Sequence, residues 1–438
     1  MVFEHGIGGS QDLPISLPFA LAGGAAALAV SFIVLALAWR QPRYDAGTQG
    51  RPLPGWFADA VDSGWFSAVL RTLGLLFAGY VAWAALAGPD NAVNPTFGVV
   101  YVLLWVGLVP ASLLLGRFYR AVNPVRTLHW LLSRLTGGSP SRGVFTLPSW
   151  VGLWPAALGL LAFVWLELVS PDVGFLWAVR LWFAAYLAIV LVGAAIFGDG
   201  WIAAADPFEA YSTLVSHLSV FGRTADGTLV TRSPLRNLDG VPPQPGLVAV
   251  LGVLLGSTMF DSFQDSIKWL LFTQDVGIDD VLLNTVALVA FCVTVGLLFS
   301  AATMLTPATE GISRRSMPRL FGHSLVPIIT GYVFAHYLSY FVEVGQQTVI
   351  QLSDPMVNGS NLLGTADLQV SYWLSLHPTL LALSKVGCIV AGHVLGVISA
   401  HDRAMKILPR RDQLTGQLPL LVVMVVFTIG GIYLLLTV

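Results

Sequence analysis

The chain is divided into ten apolar runs, nine of them close to the length that a helix needs to cross a bilayer and the sixth only 15 residues long. The hydrocarbon core is about 30 Å thick, so a helical crossing takes about 20 apolar residues. Only 11% of the residues are charged and 55% are hydrophobic, whereas about a quarter of a soluble protein is charged. The sequence therefore predicts an all-α, polytopic membrane protein with a single integral membrane domain over residues 1–438. The predicted spans are 15–39, 66–87, 96–116, 148–169, 174–197, 246–260, 281–304, 320–342, 378–400 and 417–437.

The basic residues predict the orientation. Eighteen of the 22 lysines and arginines fall in alternate loops between the spans, and cytoplasmic loops are the ones that carry an excess of them. This alternation predicts ten spans, with both termini outside the cell membrane. The first span lacks a basic segment before it, so we expect a retained helix rather than a cleaved signal peptide. A formal net charge of −2 excludes the broad basic surface of a nucleic-acid-binding protein, and leaves the lipid bilayer as the expected partner.

Two segments of the predicted cytoplasmic side resemble each other at an offset of 83 residues. Asn123-Pro124 precedes Leu131-Leu132-Ser133-Arg134-Leu135, and Asp206-Pro207 precedes Leu214-Val215-Ser216-His217-Leu218. Asn or Asp before Pro is a typical helix start. We therefore expect two short amphipathic helices along the cytoplasmic interface. The hairpins 66–135 and 148–218 are either a duplication or two independent structures with the same cap.

Ionisable residues inside a membrane are costly and mark functional positions. Directly after the sixth span, Asp261, Asp265 and Lys268 are spaced to share one helix face, if the helix does not break there. An ordinary Asp–Lys ladder at the outer interface is the alternative. Lys385 in the ninth span lies at a depth similar to that of His336 in the eighth. These residues predict an outer polar pocket, with Asp261, Asp265, His336 and Lys385 as its catalytic candidates.

The eighth span carries Tyr332, His336 and Tyr340 on one stripe, which Glu343 continues at the outer edge of the span. Glu343, together with Asp261, Asp265 and His336, forms the first candidate set of ligands for a divalent metal. Glu167 and Arg180 also lie towards the outside, where they could pair across their connection.

A second candidate metal set lies towards the cytoplasm, and consists of His323 and His393. Histidines on adjacent helices can also ligate haem. The two histidines of the eighth span, however, are 13 residues apart, or about 19.5 Å along a helix. No histidine of the ninth span stands opposite His336, so the depths disfavour haem. His401 and Asp402 suggest an interfacial charge cluster.

Several motifs of the later spans resemble those of a known family. They are Phe321-Gly322-His323-Ser324-Leu325-Val326-Pro327-Ile328, Gly331-Tyr332, Ala335-His336-Tyr337, Gly392-His393-Val394-Leu395-Gly396-Val397, Ala400-His401-Asp402-Arg403-Ala404 and Thr415-Gly416-Gln417-Leu418-Pro419, with Asp206-Pro207-Phe208 and Phe260-Asp261-Ser262-Phe263 upstream. The chain after about residue 200 is similar to actinobacterial multi-pass membrane proteins labelled fenitrothion hydrolase-like. The resemblance implies cleavage of an organophosphate aryl ester.

Two functions from different classes follow. In a phosphotriester hydrolase, Asp261, Asp265 and His336 would bind a metal or act as general base, and Lys385 or Arg180 would stabilise developing charge. In a permease, or in the membrane subunit of a partner protein, the same side chains would form the pathway of a small solute or metal ion. The substrate is accordingly either apolar or ionic. Walker A, HExxH, GxSxG and Rossmann motifs do not occur, which disfavours ATP-driven transport and the common hydrolase mechanisms.

Overall fold

The protein is described by a computed structural model that covers residues 9–45, 47, 50–307 and 311–437. Helices dominate it, as the apolar runs predict. A π-helix, Gly98–Leu104, continues the fourth helix. The α-helices are α1 Leu17–Ala38, α2 Gly55–Asp62, α3 Gly64–Ala87, α4 Pro95–Phe97, α5 Leu108–Leu115, α6 Phe118–Val122, α7 Pro124–Leu135, α8 Trp154–Leu168, α9 Leu176–Phe197, α10 Asp199–Ala205, α11 Pro207–Ser216, α12 Pro234–Leu238, α13 Leu247–Gln264, α14 Ile267–Val276, α15 Asp280–Met304, α16 Met317–Phe321, α17 Leu325–Gln351, α18 Pro378–Ile407 and α19 Leu418–Thr437.

A small antiparallel sheet is the one departure from an all-helical fold within the described residues. Its strands are β1 Arg51–Pro52, β2 Phe221–Arg223 and β3 Leu229–Thr231, in the order β1-β3-β2. Asp226-Gly227 lies in the turn between β2 and β3, and Gly227 has a φ of 89°. An Asp-Gly pair is a strong hairpin signal because glycine accepts a positive φ without strain.

Within the described residues, eight helices are long and apolar enough to cross a membrane. This agrees with a multi-pass membrane protein. The predicted span 96–116 is instead a pair of helical segments bent by 47°, with the π-helix in its first part. The predicted span 148–169 contains the 15-residue helix α8. Ten crossings with both termini outside therefore remain a prediction.

The chain forms two compact units. The first consists mainly of Thr48–Arg232 and Tyr340–Ser371, and the second mainly of Phe3–Gly47, Ser233–Ser339 and Tyr372–Val438. The helix α17 contributes its first part to the second unit and its last part to the first.

Close helix contacts in the second unit depend on glycine. A Cβ atom at Gly256 of α13 would lie 2.5 Å from the Cα atom of Cys292 in α15, and one at Gly252 would lie 2.9 Å from the carbonyl oxygen of Cys292. On α18, a Cβ at Gly392 would lie 2.6 Å from the carbonyl oxygen of Pro327 in α17. Small residues four apart allow membrane helices to approach at backbone distance. These contacts fix the positions of α13 and α17, which carry the polar residues of the sixth and eighth predicted spans.

The two resembling segments of the first unit both form the short helices that the sequence predicts. Before each of them, a span ends at a glycine with positive φ, Gly116 at 70° and Gly198 at 77°, and a short helix follows. Their environments differ, however. The helix α7 has exposed leucines, whereas every residue of α11 except Thr213 is buried. The expectation that α11 lies along the interface is therefore wrong, because protein side chains enclose it.

Candidate functional site

The most concentrated polar group of the second unit joins α13 to α17. The Asp261 carboxylate accepts a hydrogen bond from His336 Nε2 at 2.8 Å and another from the Tyr337 hydroxyl at 2.6 Å. Asp261 is 3% exposed and His336 4% exposed. The pair is therefore desolvated, and its hydrogen bonds are stronger than the same contacts in water.

The hydrogen bonds of His336 continue in one direction. A carboxylate only accepts, so Nε2 carries the ring proton towards Asp261 and Nδ1 is the acceptor of a neutral ring. The Ser262 hydroxyl lies 3.1 Å from Nδ1 and 3.3 Å from the Thr258 carbonyl oxygen, the two acceptors between which its proton can rotate, and the Tyr332 hydroxyl lies 3.2 Å from the Ser262 oxygen. The groups Tyr332, Ser262, His336, Asp261 and Tyr337 thus form a continuous buried chain, here called the Asp261 cluster.

Sequence reasoning found Asp261 and His336 but did not single out Ser262. A serine beside an aspartate, in an apolar helix, was the available signal. Its importance depends on the rotation of α17, which brings His336 between Ser262 and Asp261. That rotation is a property of the packed bundle.

The helix that carries Asp261 ends before it reaches Lys268. The helix α13 ends at Gln264, Asp265 is its C-cap, and Lys268 belongs to α14. Both side chains are exposed. The chain turns at Ser266, whose side chain caps α14, so the helix breaks here, which is one of the two alternatives that the sequence allowed. Lys268 therefore leaves the face of Asp261, whereas Asp265 interacts electrostatically with Asp261 and His336.

Lys385 and Glu343 are buried, as expected for functional positions inside a membrane. Lys385, on α18 of the second unit, interacts electrostatically with Asp12 in the 3-10 turn Ser10–Asp12. Glu343 belongs to the first unit. Arg180 donates to the carbonyl oxygen of Ala85 at 2.6 Å.

The predicted metal ligands do not form a recognisable metal site. Within the described ranges, no group of three or more His, Cys, Asp or Glu side chains is arranged to hold a metal ion. The Asp261 carboxylate already accepts hydrogen bonds from Tyr337, His336 and Gln264, the last at 3.2 Å.

The inner histidines of the second unit bind backbone carbonyls. His323 Nδ1 lies 3.2 Å from the oxygen of Leu320, and Nε2 lies 3.3 Å from that of Ser399. His393 Nδ1 donates to Ile389 at 2.8 Å. In the described part of the chain, the buried Nε2 atom of His393 has no hydrogen-bond partner.

His401 and Asp402, where a charge cluster was expected, form hydrogen bonds to the segment that follows α1. Asp402 accepts from the Arg43 backbone at 2.6 Å and from the Trp39 indole at 3.2 Å. His401 Nε2 lies 3.0 Å from the Trp39 carbonyl oxygen. These contacts hold the chain against α18, a structural role.

A second polar group, in the first unit, joins the starts of α7 and α11. The Asn123 side chain caps α7, the Asp206 side chain caps α11, and Asn123 Nδ2 donates to Asp206 at 2.8 Å. Three residues further on, Arg126 makes two hydrogen bonds to Glu209, at 2.5 and 2.6 Å. Both pairs join positions 83 residues apart, so the matched positions face each other. Burial, followed by the nearby Glu209 charge, raises the pKa of Asp206 to about 6.

The sequence analysis missed the ion pair between Arg126 and Glu209. The repeated offset was its signal, because equivalent positions of two related segments can meet where those segments pack together. The likeness supports a duplication but is also compatible with two independent helices that share a cap. Comparisons of the whole chain with family models, with curated proteins and with solved structures give no match.

Proposed function

We propose that the protein is a membrane permease in which the Asp261 cluster transfers protons during the movement of a small solute or ion. The single observation that supports this proposal is the chain of hydrogen bonds from Tyr332 through Ser262 and His336 to Asp261. It lies on helices that are long and apolar enough to cross a membrane. Buried Asp and His chains of this kind are typical proton relays of pumps and transporters.

The chain can pass a proton without large movement. When a proton reaches Ser262, its hydroxyl proton passes to His336 Nδ1, and the Nε2 proton passes to Asp261. Asp261 then releases this proton to the transported solute or to water on the far side, and rotation of the ring and of the hydroxyls restores the starting arrangement. Each step joins groups that are 2.8 to 3.2 Å apart, and the side chains of Ser262, His336 and Asp261 are all buried.

The test is proton movement into liposomes that contain the purified protein. A pH-sensitive dye reports the flux after a pH gradient is imposed, with valinomycin present to balance charge. Ser262→Ala removes the middle link and is expected to lower the flux at least tenfold, which corresponds to about 1.4 kcal/mol in the barrier. Tyr332→Phe should lower the flux as well. Tyr433→Phe is the matched control, since Tyr433 is 45% exposed.

Unchanged flux in Ser262→Ala, with the same amount of folded protein in the liposomes, would contradict the relay. An equal reduction of the flux in Tyr433→Phe and Tyr332→Phe would also contradict the relay. A panel of solutes added with the gradient then identifies the one whose uptake requires His336.

A hydrolase is the second candidate, because Ser262, His336 and Asp261 are connected in the order nucleophile, base and carboxylate. In this reaction Ser262 Oγ attacks the phosphorus atom and its proton passes to His336 Nδ1. The aryl oxide leaves with that proton, and water then hydrolyses the phosphorylated serine. The resemblance to fenitrothion hydrolase-like proteins supports an aryl phosphotriester as substrate. Ser262 is 3% exposed, so this reaction requires an opening that the relay does not.

A fluorophosphonate probe and an aryl phosphotriester assay test the hydrolase. Labelling and phenol release should both be lost in Ser262→Ala and retained in Ser257→Ala, a buried serine of the same helix. Retained turnover in Ser262→Ala would exclude Ser262 as nucleophile, and inhibition by a chelator would favour the metal-assisted mechanism.

A further inference from the structure

One face of α7 in the first unit combines apolar and cationic side chains. Leu131, Leu132 and Leu135 are 36%, 52% and 82% exposed. Arg134, on the same helix, is also exposed. Exposed leucines beside an exposed arginine have the amphipathic pattern of a helix at a membrane interface.

Two guanidinium groups meet at Trp130 of this helix. The Arg71 guanidinium of α3 lies 5.1 Å from the centre of the Trp130 ring, and that of Arg134 lies 5.8 Å from it. The two positive charges are therefore at most about 11 Å apart. Among the described residues, no carboxylate forms an ion pair with either arginine. Two positive charges beside one ring repel each other, and a bound anion would reduce this repulsion.

The position of Arg71 in α3 indicates which kind of anion could bind here. Arg71 is the eighth residue of α3, about 10 Å along the helix from its first residue. The helix α3 is long and apolar enough to cross a membrane, so its first turns would lie at the boundary between lipid and water. Trp56 and Trp65, at the same end, are 75% and 64% exposed, and tryptophans are enriched at that boundary.

We propose that Arg71, Trp130 and Arg134 bind the headgroup of an anionic phospholipid whose acyl chains cover the exposed leucines of α7. The guanidinium groups supply planar, bidentate donors for a phosphate. The leucines supply the apolar surface that an acyl chain requires and that an acidic protein loop would leave uncovered. This site is separate from the Asp261 cluster, and it stands whether or not that cluster moves protons.

Binding is measured on the full chain in detergent, by native mass spectrometry with added phosphatidylglycerol or phosphatidylcholine. Phosphatidylglycerol should bind more tightly, and its binding should weaken as salt is raised. A basic residue near an anionic lipid surface contributes about 1 kcal/mol, so Arg71→Gln and Arg134→Gln should each weaken binding about fivefold. Arg142→Gln, an exposed arginine of the next loop, is the matched control.

Arg134 is exposed, so Arg134→Gln reports on binding without a risk to folding. Equal affinity for the two lipids would overturn the proposal, as would equal losses in Arg142→Gln and Arg134→Gln. Inorganic phosphate that binds as tightly as phosphatidylglycerol would also overturn the proposal, because the exposed leucines would then contribute nothing to binding.

Discussion

Substitution of Gly256 tests whether close contact between α13 and α15 supports the second unit. A Cβ atom at this position would lie 2.5 Å from Cys292 Cα and 2.7 Å from Cys292 N. Carbon atoms pack at about 3.5–4.0 Å, so the helices would have to separate by about 1 Å. Backbone atoms, unlike the end of a flexible side chain, cannot move aside alone.

The cost of Gly256→Ala follows from two opposing effects. Overpacking costs about 1–3 kcal/mol, while replacing a helical glycine by alanine returns about 0.5–1 kcal/mol. The net loss of stability is therefore about 1 kcal/mol, and at most about 2.5 kcal/mol. In α15, a Cβ at Gly296 would meet no atom within 4 Å, so Gly296→Ala keeps only the favourable effect.

The assay is unfolding of the purified protein by SDS in mixed micelles, followed by circular dichroism. Gly256→Ala should unfold at a lower SDS fraction than the unsubstituted protein, and Gly296→Ala at the same or a higher one. If Gly256→Ala proves at least as stable as Gly296→Ala, the contact between α13 and α15 does not have the tightness that the argument requires.

Three further predictions concern the first unit. Gly74→Ala in α3 should destabilise the protein by about 1–3 kcal/mol, because its Cβ would meet a backbone carbonyl oxygen of α6. Gly79→Ala, which has open space around its Cβ, should not lower the stability. Unfolding in SDS measures both effects. Ionisation of Asp206, with its pKa raised from 3.8 to about 6, should remove up to about 3 kcal/mol of stability as the pH rises from 4 to 7. Asp206→Asn should lack this pH dependence. If stability changes with pH in the same way in both proteins, Asp206 is not the group responsible. Arg126→Gln should cost about 3–5 kcal/mol of stability, because it leaves the buried Glu209 without its main partner. Arg120 lies 3.7 Å from the same glutamate but is 51% exposed. Arg120→Gln should therefore cost less than about 1 kcal/mol in the same assay.

The elements of the fold were largely predictable from the sequence. Each apolar run contains helix, because a backbone without water must satisfy its own hydrogen bonds. Asn123 and Asp206 start helices as their sequences indicate. The bend in the third predicted span was not predictable, because a π-helix leaves little trace in apolar residues. The short sheet also escaped prediction, although Asp226-Gly227 is a recognisable turn.

The sequence by itself determined which residues enter the helices and which polar groups are rare enough to examine. It placed Asp261 and His336 on that short list, since so few ionisable residues occur in the apolar runs. Only the tertiary structure decided that these two meet, 75 positions apart, with Ser262 on the other ring nitrogen. It also ended α13 at Gln264, so that Asp265 caps this helix within electrostatic reach of Asp261 and His336. The physical reason is that helical periodicity defines a face, whereas the partner of that face depends on how neighbouring helices pack and rotate.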